Sequence, residues 1–222
     1  MTPAVEVFPN ADAAAERGAD VIAAAAAEAV AERGRFTLAV SGGRNPWVMF
    51  GLLDGRMPWE KVTIFQVDER VAPDDDPDRN LTHLLRSLPA DGAADVRPMP
   101  VTAHELEQAA ASYASALPDA FDLVHLGLGP DGHTASLVPG DPVLEIADRD
   151  VAITGEYQGR RRMTLTYPPL NRARNILWLV TGDDKVDALA RLRAGDPSIP
   201  AGRVRAEKAL VVADAAAAGS PT

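Results

Sequence analysis

The chain has 222 residues, 46% apolar and 24% charged, the balance of an ordinary globular protein long enough to bury a core. Its net charge of −10 argues against nucleic acid or an anionic membrane as a partner, since both need a basic footprint. With no cysteine, disulfides, thiolate nucleophiles and cysteine metal sites are excluded.

Val5 to Phe8 reads as a short first strand. Asn10 suits the cap of a helix over Ala11 to Arg33, closed by Gly34. Phe36 to Val40 is a compact apolar strand running into Ser41-Gly42-Gly43-Arg44. The next helix is expected near Trp47, with Asn45 as cap and Pro46 at its first position. Lys61 to Val67 is a strand ending at Asp68-Glu69-Arg70, and the acidic loop Ala72 to Asp78 leads to a short helix over Asn80 to Leu88. Thr102 to Glu105 has the spacing of a capping box and predicts a helix to about Leu117. Leu123 to Leu128 is a buried strand, followed by a Pro130-Asp131-Gly132 turn and His133. Asp150 to Thr154 and Arg162 to Thr166 are strands around Gly155 to Gly159. Ile176 to Val180 leads into a helix carrying Lys185, and Ala209 to Ala213 is a last strand before a frayed tail, Ala215 to Thr222.

Strands alternate with helices, which predicts an α/β fold: one domain with a mostly parallel sheet, helices on both faces, and a small lobe or edge hairpin near 140–170. No basic leader precedes an apolar segment, and the Ala-rich run Val21 to Ala27 is too short to span a bilayer, so a cytoplasmic protein is expected. An acidic total still permits an anionic small substrate, because a few arginines, lysines and amides can make a local positive pocket.

Four strand ends carry polar residues. Two glycines between a strand and a helix, Gly42 and Gly43, fit an anion cradle at a helix start, or a plain turn. Asp68 and Arg70 alternate with Glu69. A shared site is at least as good a reading for that pair as a surface loop, whereas Glu69 reads as a surface ion-pairing residue. His133 lies just past a glycine-rich strand end, where a proton-transferring imidazole would serve. His125, mid-strand, reads as a satisfied core residue. Lys185 at a helix start opposes the dipole, so it is either solvated or aimed at an anion.

In this order the motifs resemble the 6-phosphogluconolactonases nearly end to end. The pattern is Ser41-Gly42-Gly43; Asp68-Glu69-Arg70 with Pro73 and Asn80; Gly127 to Gly140, which includes Gly129 and Asp131-Gly132-His133-Thr134-Ala135-Ser136; Arg162-Met163-Thr164-Leu165-Thr166; and Gly182 to Lys185. The resemblance implies a modified Rossmann-like sheet shared with ribose-5-phosphate isomerase and glucosamine-6-phosphate deaminase. It implies hydrolysis of 6-phospho-D-glucono-1,5-lactone without metal or cofactor. His133 matches the proposed base, with Asp131 as its orienting partner or a turn residue. Ser41, Gly42, Gly43, Arg70 and Lys185 match positions around the phosphate, and Asp68, Asn80, Gly129 and Arg162 complete the expected substrate site. Arg44-Asn45 replaces two small hydroxyl residues, so Arg44 either adds charge to the cradle or faces solvent. Arg79 stands where serine is usual.

The expected partner is a phosphorylated sugar lactone, acted on by a monomer or weak homo-oligomer. Backbone amides of the Gly129 to Gly132 turn are the candidate oxyanion donors. Two rivals remain: a glucosamine-6-phosphate deaminase or aldose–ketose isomerase on the same fold, and a non-enzymatic sugar-phosphate sensor. Thr134-Ala135-Ser136 lacks the acidic residue an isomerisation would use there, and the acidic charge opposes a DNA-linked sensor.

Overall fold

The computed structural model describes residues 2–89, 94–205 and 208–219. In chain order its strands are β1 (Ala4–Phe8), β2 (Phe36–Val40), β3 (Val62–Gln66), β4 (Asp68–Arg70), β5 (Asp95–Arg97), β6 (Leu123–Leu126), β7 (Val151–Ile153), β8 (Arg162–Leu165), β9 (Ile176–Val180) and β10 (Ala209–Asp214). The helices are α1 (Ala11–Arg33), α2 (Arg44–Gly51), α3 (Asn80–Ser87), α4 (Leu106–Ser115), α5 (Tyr167–Asn171) and α6 (Val186–Ala194).

Seven strands form one parallel sheet in the order β1-β10-β9-β6-β2-β3-β5. Both faces are covered, which is why its central strands are continuously apolar. In β9, Ile176, Trp178 and Val180 enter one core while Leu177 and Leu179 enter the other. The α1 helix lies on the second core through small residues, including Ala15, Gly18, Ala19 and Ala26. Glycine mid-helix costs about 1 kcal/mol relative to alanine, but a Cβ at Gly18 would collide with the Met49 sulfur of α2. Close helix contact accounts for it.

From β2 the chain moves outward to β3 and β5. From β6, beside β2, it moves the other way to β9 and β10. The carboxyl ends of β2 and β6 therefore flank the reversal of strand order, where open α/β sheets bind ligands.

A second, antiparallel sheet has the order β4-β8-β7. It includes the expected hairpin near 140–170, but its third strand is Asp68–Arg70, which the sequence had suggested was only a strand end. Val67 joins the sheets: its amide donates to the Val40 carbonyl (3.0 Å), and its carbonyl accepts from Leu165 (2.7 Å).

Several local expectations change. Asn10 and Gly34 cap α1 as anticipated. The α2 helix starts at Arg44 rather than near Trp47, because Gly43 at φ 137 serves as its cap and Pro46 is tolerated in a first turn. The capping box at Thr102 does not form. Glu105 is itself the cap residue, and its carboxylate meets His104 Nδ1 at 2.8 Å. The tail is held at 215–219 by a turn in which Asp214 accepts from the Ala217 amide (2.8 Å) and Ala217 is buried; 220–222 lie outside the described residues. No helix among the described residues is long and apolar enough to cross a membrane.

Candidate active site

Beyond β2 and β6 lies a cavity of about 200 Å³. Ser41 and Gly42 form its β2 side. The Ser41 amide donates to the His125 carbonyl (3.2 Å), and the amides of Gly42 and Gly43 have no partner among the described residues. A Cβ at Gly42 would collide with the Asn80 side chain, so glycine lets the asparagine approach the backbone. Gly43 and Arg44 are exposed and lie outside the cavity wall. Neighbouring Asn45 donates from Nδ2 to Thr181 Oγ1, tying α2 to the end of β9.

The small sheet supplies the charged wall. Arg70 Nη1 donates to the Asp78 carbonyl and to Asn80 Oδ1, both at 2.7 Å. Arg162 is 5% exposed, and its Nη2 donates to Gln158 Oε1 (3.2 Å). Burial lowers the Arg162 pKa from its ordinary value; Asp68 opposes that shift and Arg70 reinforces it. The Nε atoms of both arginines are buried without a hydrogen-bond partner among the described residues. Unsatisfied buried donors are rare in native proteins, and both arginines line the cavity, where a guanidinium suits an anion. Asp68, also buried in this wall, accepts from Ser136 Oγ at 2.6 Å.

Glu69 overturns its reading as a surface residue: it is 0% exposed. Its carboxylate accepts from the amides of Asn80 (2.7 Å), Leu81 (2.8 Å) and Arg70 (2.8 Å), and from Gln66 Nε2 (2.8 Å). It thus caps α3 and fixes the two residues that reach the cavity. Arg79, in place of the usual serine, is buried behind it, with Nε 3.4 Å from Glu69 and Nη1 2.9 Å from Asp74.

Lys185 completes the cations. It ends a 3-10 turn over Asp183–Lys185 and caps α6, its Nζ paired with Asp184 at 2.6 Å. Asp184 offsets the unfavourable placement of a lysine at a helix start.

The Gly129–His133 turn places the histidine. Gly132, at φ 82, donates to the Gly129 carbonyl (2.9 Å), and the Gly129 amide donates to the His133 carbonyl (2.8 Å). A Cβ at Gly129 would collide with the His133 ring. Asp131 Oδ1 accepts from the His133 amide (3.1 Å) and faces its Nδ1 (2.6 Å). Burial would raise the Asp131 pKa, but contacts with His133 bring it below its ordinary value. An Nδ1 proton held by this carboxylate leaves Nε2 as the basic nitrogen. Asp131 stands behind His133 rather than in the wall. The amides of Gly129 and Gly132 are spent inside the turn and Pro130 has none, which leaves the Asp131 amide as the turn's one candidate oxyanion donor.

The expected residues Ser41, Gly42, Asp68, Arg70, Asn80, Gly129, His133, Arg162 and Lys185 all line this one cavity. His125 does not, and it is not satisfied. It is 0% exposed, both ring nitrogens lack partners among the described residues, and its ring meets Phe50 edge-on at 5.5 Å. Burial pushes its pKa down to about 3. Sequence reading missed the roles of Glu69 and Ser136, and it passed over Tyr157, whose only signal was an aromatic between the glycines of a hairpin. Among the described residues no group of three or more histidines and carboxylates is arranged to hold a metal ion.

Residues 9–212 match the family model described as glucosamine-6-phosphate isomerases/6-phosphogluconolactonase. A 6-phosphogluconolactonase of Synechocystis sp. is 38% identical over 87% of this chain and 86% of its own length. One from Mycobacterium tuberculosis is 35% identical over 98% of each. The crystal structure of 6-phosphogluconolactonase from Thermotoga maritima superposes with a TM-score of 0.85 at 25% identity, covering 96% of this chain and 99% of that one. A monomeric glucosamine-6-phosphate deaminase superposes with a TM-score of 0.83 at 17% identity, a likeness of fold alone. Fold, cavity and sequence agree that the chain belongs to the glucosamine-6-phosphate isomerase/6-phosphogluconolactonase family.

Proposed function

We propose that the chain hydrolyses 6-phospho-D-glucono-1,5-lactone to 6-phospho-D-gluconate, the lactone-opening step of the oxidative pentose phosphate pathway, in the cytoplasm. One observation carries this reading: an Asp131-held His133 shares a cavity with Arg70, Arg162 and Lys185 in a chain of net charge −10. A base facing three cations suits water attack on an uncharged carbonyl in a substrate anchored by a distant phosphate.

The phosphate docks on the Gly42 amide, Arg70 and Lys185, presenting the lactone carbonyl to His133. Neutral His133 takes a proton at Nε2 from a water as it attacks, and Asp131 steadies the imidazolium that forms. The carbonyl oxygen becomes an oxyanion, and with most of the turn amides spent its charge falls chiefly to the wall cations, Arg162 foremost. The imidazolium then returns the proton to the ring oxygen as the carbon–oxygen bond breaks. General base catalysis contributes about 10²–10⁴-fold, and anchoring through the phosphate adds to it.

The test is a coupled lactonase assay at pH 6 to 7 on freshly made lactone, with the spontaneous rate subtracted. Turnover well above background is expected. Ammonia release from glucosamine 6-phosphate, with no lactone hydrolysis, would replace this reading with a deaminase.

A further inference from the structure

We propose that Tyr157 is a positioning residue for His133, its ring fixing the plane of the imidazole so that Nε2 stays aimed into the cavity. This rests on reading His133 as the base of the lactone hydrolysis. The two residues come from different sheets: His133 follows β6, and Tyr157 sits at the tip of the β7–β8 hairpin. Their rings meet nearly edge to face, centroids 5.6 Å apart and planes at 65°. The Arg162 guanidinium lies over the same Tyr157 ring, 5.0 Å from its centroid. One phenol therefore touches both the base and a wall cation.

The need for such a contact follows from geometry. Asp131 restrains Nδ1, but one hydrogen bond to a partly exposed carboxylate leaves the χ1 and χ2 torsions of His133 some play. The His133 side chain is 22% exposed, so general packing does not lock it. A second contact on the ring removes the remaining freedom.

The hairpin tip is braced to provide it. Tyr157 and Arg160 exchange backbone hydrogen bonds of 3.0 and 3.3 Å. Gln158 (φ 52) and Gly159 (φ 76) take the two left-handed positions of a tight hairpin turn. Gln158 Oε1 accepts from Arg162, and Arg160 reaches Asp78 (3.1 Å) and Asp76 (3.0 Å) in the loop before α3. Burial, reinforced by Asp131, raises the Tyr157 pKa above its ordinary value. The phenol therefore stays neutral and adds no negative charge beside the anion site.

The experiment compares the whole protein with Tyr157→Phe, Tyr157→Ala and Tyr157→Leu, using lactonase kinetics and the imidazole nitrogen signals of His133 by NMR. Tyr157→Phe keeps the ring and should hold kcat within about twofold, whereas Tyr157→Ala should lose about 10–10²-fold in kcat with KM within about threefold. The His133 signals should shift or broaden in the alanine variant and stay as in the wild type in the phenylalanine variant. Tyr157→Leu, which keeps bulk without a ring, is read the same way should the alanine variant fail to fold. The proposal is overturned if the ringless variants keep kcat within about twofold, if only KM changes, or if Tyr157→Phe loses as much as Tyr157→Ala. A wild type without lactonase activity would sink the proposed function instead. The NMR comparison would then decide the positioning role alone, unchanged His133 signals in the ringless variants counting against it.

Discussion

The seven-stranded and three-stranded sheets meet at Val67 and serve the cavity in different ways. The large sheet places its groups through backbone: glycines at Gly42, Gly129 and Gly132, a strand-order reversal, and one turn that fixes His133. The small sheet places them through buried charge. Glu69 and Arg79 lie beneath the elements that present Arg70, Asn80 and Arg162. The apolar scaffold holds the base, with Lys185 at its rim, whereas the polar one holds the two wall arginines, since a buried charge is tolerable only when paired.

That contrast predicts different failures. The largest should come from Glu69→Gln, which strips a buried carboxylate from two α3 amides and from Arg79. Breaking a buried pair costs about 3–5 kcal/mol, so Tm should fall by roughly 6–20 °C in a chain of this size. A calorimetric Tm within 2 °C of the wild type would show that the buried charge does not hold the small sheet. Gly129→Ala attacks the other region. Its Cβ displaces the His133 ring, and kcat should drop about 10²-fold while Tm changes less than in Glu69→Gln. A kcat near that of the wild type would mean that the turn does not set the histidine.

The smallest effect concerns His125 in the core of the large sheet. Its folded pKa of about 3 lies below the ordinary 6.5, so the unfolded chain takes up the proton first. This group's penalty is absent above about pH 6.5 and grows as pH falls toward 3, by up to about 1.4 kcal/mol per pH unit. Urea midpoints of His125→Leu should therefore fall less between pH 7 and pH 5 than those of the wild type. Parallel declines would remove the histidine from the acid response.

The same contrast explains what could be read from sequence. The apolar runs of β2, β3, β6 and β9, the caps of α1 and the glycine-rich turn before His133 are local signals. They announced the large sheet and its histidine. The small sheet was half hidden. Its hairpin showed as two short runs, but Asp68-Glu69-Arg70 is a charged strand whose burial depends on partners at Asn80, Ser136 and Met163, distant in sequence. Composition gives such a residue a surface reading, which is how Glu69 was misjudged. β5 escaped because Asp95-Val96-Arg97 is a three-residue edge strand with both ends exposed. The capping-box spacing at Thr102 was outcompeted by a nearer contact between Glu105 and His104. His125 looked ordinary because sequence cannot reveal whether a buried ring finds partners.

The most direct test of the division of labour is a single series of substrate-saturation curves for the wild type, His133→Ala and Arg70→Ala on freshly made lactone. His133→Ala should lose about 10²–10⁴-fold in kcat with KM nearly unchanged. Arg70→Ala should raise KM roughly 10–100-fold, the loss of a charge-assisted contact, with kcat largely kept. If His133→Ala kept most of its kcat, or both variants failed in the same parameter, the separation of the base on the large sheet from the Arg70 grip on the small one would be contradicted.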